Sequence, residues 1–381
     1  MSELNASNLR KEQGNEGPDL VGVTELTSPY YMVPPSGTTA ERPQNPQKGT
    51  LRFNTDIGSL EYFKGDTIGW ESINRYSPDL NGGARGVTSG GYTGPGSTGN
   101  TAIDFFNIES AGNAADFGDL SDGRWAIATG ASNTRGIFAG GDSPGDVNTV
   151  DFITISSTGS RSDFGDIGTG GHRSASGVSN QTRMVAAGGD KDPHPNQMNT
   201  INFVTIATTG NFIDSGGDLQ DAKQSLTNSV NSPIRGIFSG GFTPSAVTRI
   251  EFTNIPTMGN GQDFGTLSSN ANTEQGTVSS STRGLIKISI DGTNADQVDT
   301  IQITTLGDSV NFGNLTDTRT AGGPLSSCIR GVFAGGRVTP AEGSTVIDYM
   351  NIATGGDAVD FGDLNFTARN SCGLSNAHGG L

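Results

Sequence analysis

The sequence predicts an all-β chain whose main body is a six-bladed β-propeller, and three observations predict it. An Arg-Gly-hydrophobic-x-x-Gly-Gly signature returns at Arg85, Arg135, Arg235 and Arg330, with weaker copies at Arg183 and Arg283. These arginines are 50, 48, 52, 48 and 47 residues apart, a period that marks propellers and other stacked arrays. Each period has room for four short strands joined by Gly, Asn, Ser and Asp turns, the content of one blade.

The elements of a unit follow in a fixed order. After Gly-Gly comes a polar loop of variable length, then a run rich in Ile, Val, Phe and Thr that alternates as a half-buried strand should. The runs begin at Thr101, Thr149, Thr200, Arg249, Thr300 and Thr345. A short Thr-Gly or Ser-Gly turn leads to an Asp-Phe-Gly-Asp-Leu element at Asp116, Asp163, Asp263, Asn311 and Asp360, distorted in the third unit after Phe212. A basic residue usually follows: Arg124, Arg173, Lys223, Arg319 or Arg369. A small-residue stretch then leads to the next signature. The 58 glycines stand in phase, so they read as turn and close-packing positions rather than as disorder.

The chain after Arg369 repeats only the opening stretch of a unit, whereas the Arg85 unit lacks a good one. Residues 370–377 are therefore expected to complete the Arg85 blade, because an open ring would leave raw strand edges. The rival is that residues 74–84 supply that strand. The domains expected are an N-terminal arm with a Pro-rich linker (1–48), a small β-meander (49–75) with a turn at Asp56–Gly58, and the propeller (76–381). Leu20–Val33 is expected to hold one strand. Two or three strands cannot stand alone, so the meander must dock on something.

The order of features resembles the kelch repeat, with Phe117, Phe164, Phe264, Phe312 and Phe361 in place of the usual Trp. Gly49, Leu51, Arg52, Phe53, Asn54, Thr55, Asp56, Leu60, Glu61, Tyr62, Gly65 and Trp70 resemble a segment of bacteriophage structural proteins. The repeat itself looks like those of marine, cyanophage-like virion proteins. The resemblance implies a non-enzymatic virion component, a tail fibre or other appendage assembled in the host cytoplasm. Arg52, Phe53, Tyr62 and Trp70 would then contact other virion proteins or further copies, three being natural for a fibre. A host-surface glycan or protein would be the outer partner. A capsid, neck or tail decoration and a glycan-cleaving depolymerase are the alternatives.

Composition sets bounds. A net charge of −16 with no basic stripe argues against nucleic acid, and no stretch is apolar enough for membrane insertion or a signal peptide. Cys328 and Cys372 read as two buried thiols. His172, His194 and His378 stand in different units without a second ligand at metal spacing, so neither metal nor cofactor is expected. The recurring acids, such as Asp116, Asp119, Asp163 and Asp166, recur in phase. They are expected to cap their own Gly turns rather than to catalyse or bind Ca²⁺. The six phased arginines are expected to be structural, Arg135 and Arg330 each meeting an Asp or Glu within the propeller. Binding is expected on the loops that vary: Thr93–Asn100, Asp142–Asn148, Asp190–Asn199, Thr243–Ala246 and Arg337–Ser344.

Overall fold

The computed structural model describes residues 34–56, 59–66, 69–72, 84–92, 99–168, 170–224, 229–271, 276–288, 295–320, 322–338 and 343–381. Among them there is no α-helix, and the chain is all-β. It divides into two compact units, with the boundary between Ser77 and Pro78. Leu20–Val33 and residues 74–83 lie outside the described residues.

The first unit is a four-stranded sheet. Leu51–Asn54, Ser59–Phe63 and Trp70–Ser72 form the antiparallel meander. Ser36–Gly37 adds a parallel strand beside Phe53–Asn54, followed by a 3₁₀ turn at Thr39–Glu41. Part of the expected linker thus belongs to the sheet. The alternation points Arg52, Glu61, Phe63 and Trp70 to one face and Leu51, Phe53, Leu60 and Tyr62 to the other. On the first face Glu61 is buried between Arg42 (2.5 Å) and Arg52 (3.4 Å), and it accepts a bond from Asn54. Arg42 above all holds its carboxyl below the usual range. Both guanidinium groups lie near the Trp70 ring, 5.8 and 6.0 Å from its centroid.

The second unit contains six sheets of one pattern, each named here by its signature arginine. The Arg135 sheet runs Ala128–Ala131, Arg135–Ala139, Thr149–Thr154, Ser162–Asp166. The other sheets keep this order of first, second, third and fourth strands, all antiparallel, and the Arg235 sheet adds a short fifth strand, Phe242–Thr243, on its third. The expected strands fall where the alternation put them. The third-to-fourth pairing is bulged at the same place in every sheet, for example between Val150 and Asp151 and between Ile347 and Asp348. In the Arg85 sheet the first strand is Cys372–Ser375, paired antiparallel with Arg85–Ser89 from Cys372↔Ser89 to Ser375↔Gly86. Arg85–Ser89 has Ala102–Asn107 on its other side, so both its edges are taken by these two strands.

First strands of successive sheets are joined by small polar residues at one position. Ala131 N donates to Ser179 Oγ, Ser179 N to Asn231 Oδ1, Asn231 N to Ser279 Oγ and Ser279 N to Ser326 Oγ. Ser375 Oγ donates to Ser326 O, and Thr129 Oγ1 to Gly373 O at 2.7 Å. Every sheet is therefore bonded to two others.

One position earlier, each first strand carries an apolar side chain that fills the space over the signature glycine of a neighbouring sheet. A Cβ at Gly136 would lie 2.7 Å from Leu374, and one at Gly236 would lie 2.5 Å from Val178. Gly284 meets Val230, Gly331 meets Val278 and Gly86 meets Leu325 in the same way. The sixth contact is inverted. The first strand has Gly130, and the signature reads Arg183-Met184, with the Met184 side chain lying over Gly130. The weak copy of the signature is thus a compensated one, because the pair keeps its summed volume.

Gly130→Val should overpack this junction by about 1–3 kcal/mol. Met184→Gly should leave a cavity costing about 2–5 kcal/mol. The double variant should recover most of both losses, as read by denaturant midpoints. Strict additivity of the two single losses would refute the inverted contact.

Candidate functional site

The periodic charged residues prove to be ties between sheets. Each signature arginine donates through Nη1 to a carbonyl just after the third strand of the next sheet. Arg85 reaches Ile155 O, Arg135 reaches Ile206 O and Arg183 reaches Ile255 O. Arg235 reaches Ile303 O, Arg283 reaches Ile352 O and Arg330 reaches Ile108 O, the six distances running from 2.7 to 3.2 Å. Each also lies over an aromatic ring of its own sheet: Arg135 is 4.3 Å from the Phe152 centroid, and Arg330 is 4.7 Å from that of Tyr349. The expectation of carboxylate partners for Arg135 and Arg330 is therefore corrected. A planar fork that covers a ring and donates sideways suits a carbonyl at a sheet boundary without burying a second charge.

The carboxylate pairs belong to the other set of bases. Arg124 meets Asp151 at 2.8 Å, Lys223 meets Glu251 at 2.8 Å and Arg319 meets Asp348 at 2.9 Å, each pair buried and each spanning two sheets. Burial pushes the Arg124 and Arg319 guanidinium groups down, and the facing carboxylates oppose it. The same acids take a backbone N–H from the residue after the Asp-Phe-Gly-Asp-Leu element of the preceding sheet, as Thr316 N donates to Asp348 and Gln220 N to Glu251. Asp104 takes both bonds of Asn365, and burial raises its pKa. The second acids of the element, Asp119 and Asp363, accept from Thr101 and Thr345 rather than capping their own turns.

The third strand of the Arg183 sheet carries Asn202 where the other sheets carry an acid. Arg173, the base in phase with Arg124, turns instead to the loops that follow Gly-Gly. It meets Asp142 at 2.7 Å, Asp190 at 3.3 Å and Asp146 at 3.7 Å. His194 stands in the same cluster, Nδ1 2.9 Å from Asp190 and Nε2 2.8 Å from Asp192 and 3.3 Å from Asp146. Two of the variable loops singled out by sequence, Asp142–Asn148 and Asp190–Asn199, thus meet in one acidic cluster. For Asp190, burial is outweighed by the Asn196 N–H, His194 and Arg173, which hold its carboxyl below the ordinary range. For Asp146, burial wins and its carboxyl is raised.

This corrects the reading of His194 as lacking partners at ligand distance. Asp146, Asp192 and His194 bring three donor atoms within 4.8 Å of one another. Sequence reasoning missed Asp146 and Asp192 because they lie on different loops, though the acid after Gly-Gly at Asp142 and again at Asp190 was a visible sign. Residues 93–98 and 339–342 of the other variable loops lie outside the described residues.

The space between the first strands is small. Thr129, Ser179, Asn231, Ser279, Ser326 and Ser375 line a cavity of about 30 Å³, room for about two waters. His378 also lines it, buried, Nε2 2.9 Å from Ala131 O and 3.3 Å from Ser179 Oγ. The residues around it touch further sheets: Asn133 Nδ2 donates to Asn376 O and Gly379 N to Ser279 O. Of the two thiols, Cys372 is buried as expected, whereas Cys328 is exposed.

The four residues expected at an interface are divided between the faces of the first unit. Arg52 is only 5 % exposed and is taken up by Glu61 and the Thr38 carbonyl. Trp70 packs on Phe63 at 5.6 Å. Phe53 and Tyr62 share the opposite face and are half-buried. No protein-family model and no curated protein matches this chain.

Burial lowers the pKa of His378 from 6.5 to about 4, and that of His172 likewise. The unfolded chain binds these protons first. The stability gained by keeping the rings neutral is complete above about pH 6.5 and is lost as pH falls toward 4, by about 3 kcal/mol for each ring. Urea midpoints should fall over that window, and His378→Gln should remove about half of the pH dependence attributed to the two rings. An unchanged slope in the variant would contradict the burial of His378.

Proposed function

We propose that residues 76–381 form a six-bladed, kelch-like β-propeller closed by Cys372–Ser375, carried by the chain as a non-enzymatic structural component of a bacteriophage particle. In this reading the first unit anchors the protein to neighbouring virion proteins or to further copies of itself, as in a tail fibre or similar appendage. The loops after Gly-Gly face outward for attachment to a host surface.

The observation that carries the propeller is that six sheets of one pattern repeat the same ties, each bonded to two others through its first strand. The arginine-to-carbonyl bonds run through the same six sheets in the same order and return from Arg330 to Ile108. For the function, the support is where the periodic charges go. Asp151, Glu251 and Asp348 are consumed in holding sheets together. Recognition then falls to the variable loops of a rigid scaffold. The resemblance of Gly49–Trp70 to phage structural proteins supports the virion setting. Leu51, Phe53, Leu60 and Tyr62 give the first unit an apolar face of the kind that assembly covers.

An antibody to the chain should label purified phage particles that encode it. Particles assembled with Phe53→Asp and Tyr62→Asp together should carry less than about a tenth of the normal copy number, because burying unpaired carboxylates at an interface costs more than the roughly 1.4 kcal/mol that a tenfold loss needs. Antigen confined to lysate and absent from particles would overturn the structural reading. Turnover of host polysaccharide by the full chain would favour a depolymerase.

A further inference from the structure

The cluster around His194 contains more acid than its own bases satisfy. Asp142 accepts from Gly145 N and Arg173. Asp190 accepts from the backbone of Lys191 and Asn196, from Arg173 and from His194 Nδ1. These two carboxylates are complete. Asp146 is not. Its side chain is fully buried, yet neither carboxylate oxygen has a partner at hydrogen-bond geometry, and the Asp192 backbone N–H acts on it only weakly. The nearest cationic atoms are His194 Nε2 at 3.3 Å and Arg173 Nε at 3.7 Å. An ionised carboxylate held out of water without a hydrogen bond is costly, and this one lies beside the ring nitrogen of His194 and the carboxylate of Asp192. Asp192 Oδ2 accepts from Asp146 N at 3.4 Å, and its Oδ1 is 2.8 Å from His194 Nε2.

We propose that Asp146, Asp192 and His194 Nε2 bind a first-row divalent metal ion of the zinc or manganese kind. Three features support this. First, Nε2 is separated from the two carboxylate oxygens by 2.8 and 3.3 Å. Ligands on one ion at bond lengths of about 2.0–2.2 Å stand about 3.0–3.5 Å apart, and all three donor atoms already lie within 4.8 Å of one another. Second, His194 Nδ1 faces Asp190 at 2.9 Å. A donated Nδ1–H leaves Nε2 as the lone-pair nitrogen, the carboxylate–histidine arrangement that orients an imidazole ligand. Third, Asp142, Asp146 and Asp190 face the single guanidinium of Arg173, and a fourth carboxylate, Asp192, lies against His194. A divalent ion offsets most of that excess.

The donor set selects the metal. An imidazole nitrogen with two carboxylates suits zinc or manganese better than calcium, which takes six to eight oxygens. The site joins a loop of the Arg135 sheet to a loop of the Arg183 sheet, at the boundary where Asn202 removes the buried acid that Arg124, Lys223 and Arg319 find elsewhere. An ion there would supply the missing tie. The inference does not depend on the virion reading.

The full chain, freed of metal by chelator and dialysed, is titrated with Zn²⁺, Mn²⁺ and Ca²⁺ by calorimetry. Bound metal is counted independently by elemental analysis. One equivalent of Zn²⁺ or Mn²⁺ per chain is expected, with Ca²⁺ at least tenfold weaker, and the thermal midpoint should rise with the ion concentration. His194→Ala and Asp146→Asn should each weaken binding at least tenfold. Asp192→Asn should do the same; its side chain is 53 % exposed, so this variant tests the site even if the other two fail to fold. Absence of stoichiometric Zn²⁺ or Mn²⁺ binding would overturn the site, as would binding left unchanged in a folded Asp192→Asn chain. Equal affinity for Ca²⁺ would overturn the assigned metal class.

Discussion

The second unit depends on backbone meeting backbone where one sheet abuts the next. The glycine of each Asp-Phe-Gly element lies against the turn glycine of another sheet. A Cβ at Gly118 would lie 2.6 Å from Gly159 O, one at Gly165 2.5 Å from Gly210 O and one at Gly265 2.3 Å from Gly307 O. Across the same contact Gly159 N donates to Phe117 O and Gly210 N to Phe164 O, both at 2.8 Å. The residue after the turn glycine accepts a second bond, as Asn211 does from Asp166 N and Asn113 from Asp363 N. No side chain could stand between the two strands without breaking both bonds. The glycines that suggest looseness in composition are the reason the sheets fit.

Around that contact the side chains form layers. Phe117, Phe164, Phe264 and Phe361 of the element are buried and meet the third-strand aromatic edge-on, as Phe164 meets Phe152 at 5.9 Å and Phe361 meets Tyr349 at 5.9 Å. The signature arginine covers the other side of that aromatic and donates across the boundary. In the Arg283 sheet Thr300 replaces the aromatic, and Arg283 lies nearest Phe312 instead. Substitutions within a repeat are thus answered by substitutions within reach, as Met184 answers Gly130.

The same logic produced the acidic cluster. A buried ion pair adds little net stability when complete, but one left half-made is strongly unfavourable. Loss of the acid at Asn202 obliged Arg173 to find other carboxylates, and Asp142, Asp146 and Asp190 supply them from the loops. A departure from the repeat at one strand thereby concentrated at a surface the charge that the Arg124, Lys223 and Arg319 boundaries keep in their interiors.

The sequence by itself determined the strands, their order and the register of the repeat. Alternation and turn residues are local properties, and six phased copies make their spacing unmistakable. It also placed Cys372–Ser375 beside Arg85–Ser89, because an incomplete last unit and an incomplete first one are complementary. Only the tertiary structure decided which charges meet. Arg135 could not be assigned to Ile206 O from sequence, since every residue offers a carbonyl and the partner lies 71 residues away. Asp146 and His194 came together because two loops of different sheets share a boundary, a proximity set by how sheets stack and not by any pattern along one strand. The first unit divides the same way: alternation assigned Arg52 and Phe53 to opposite faces, but only packing around Glu61 made the charged face the buried one.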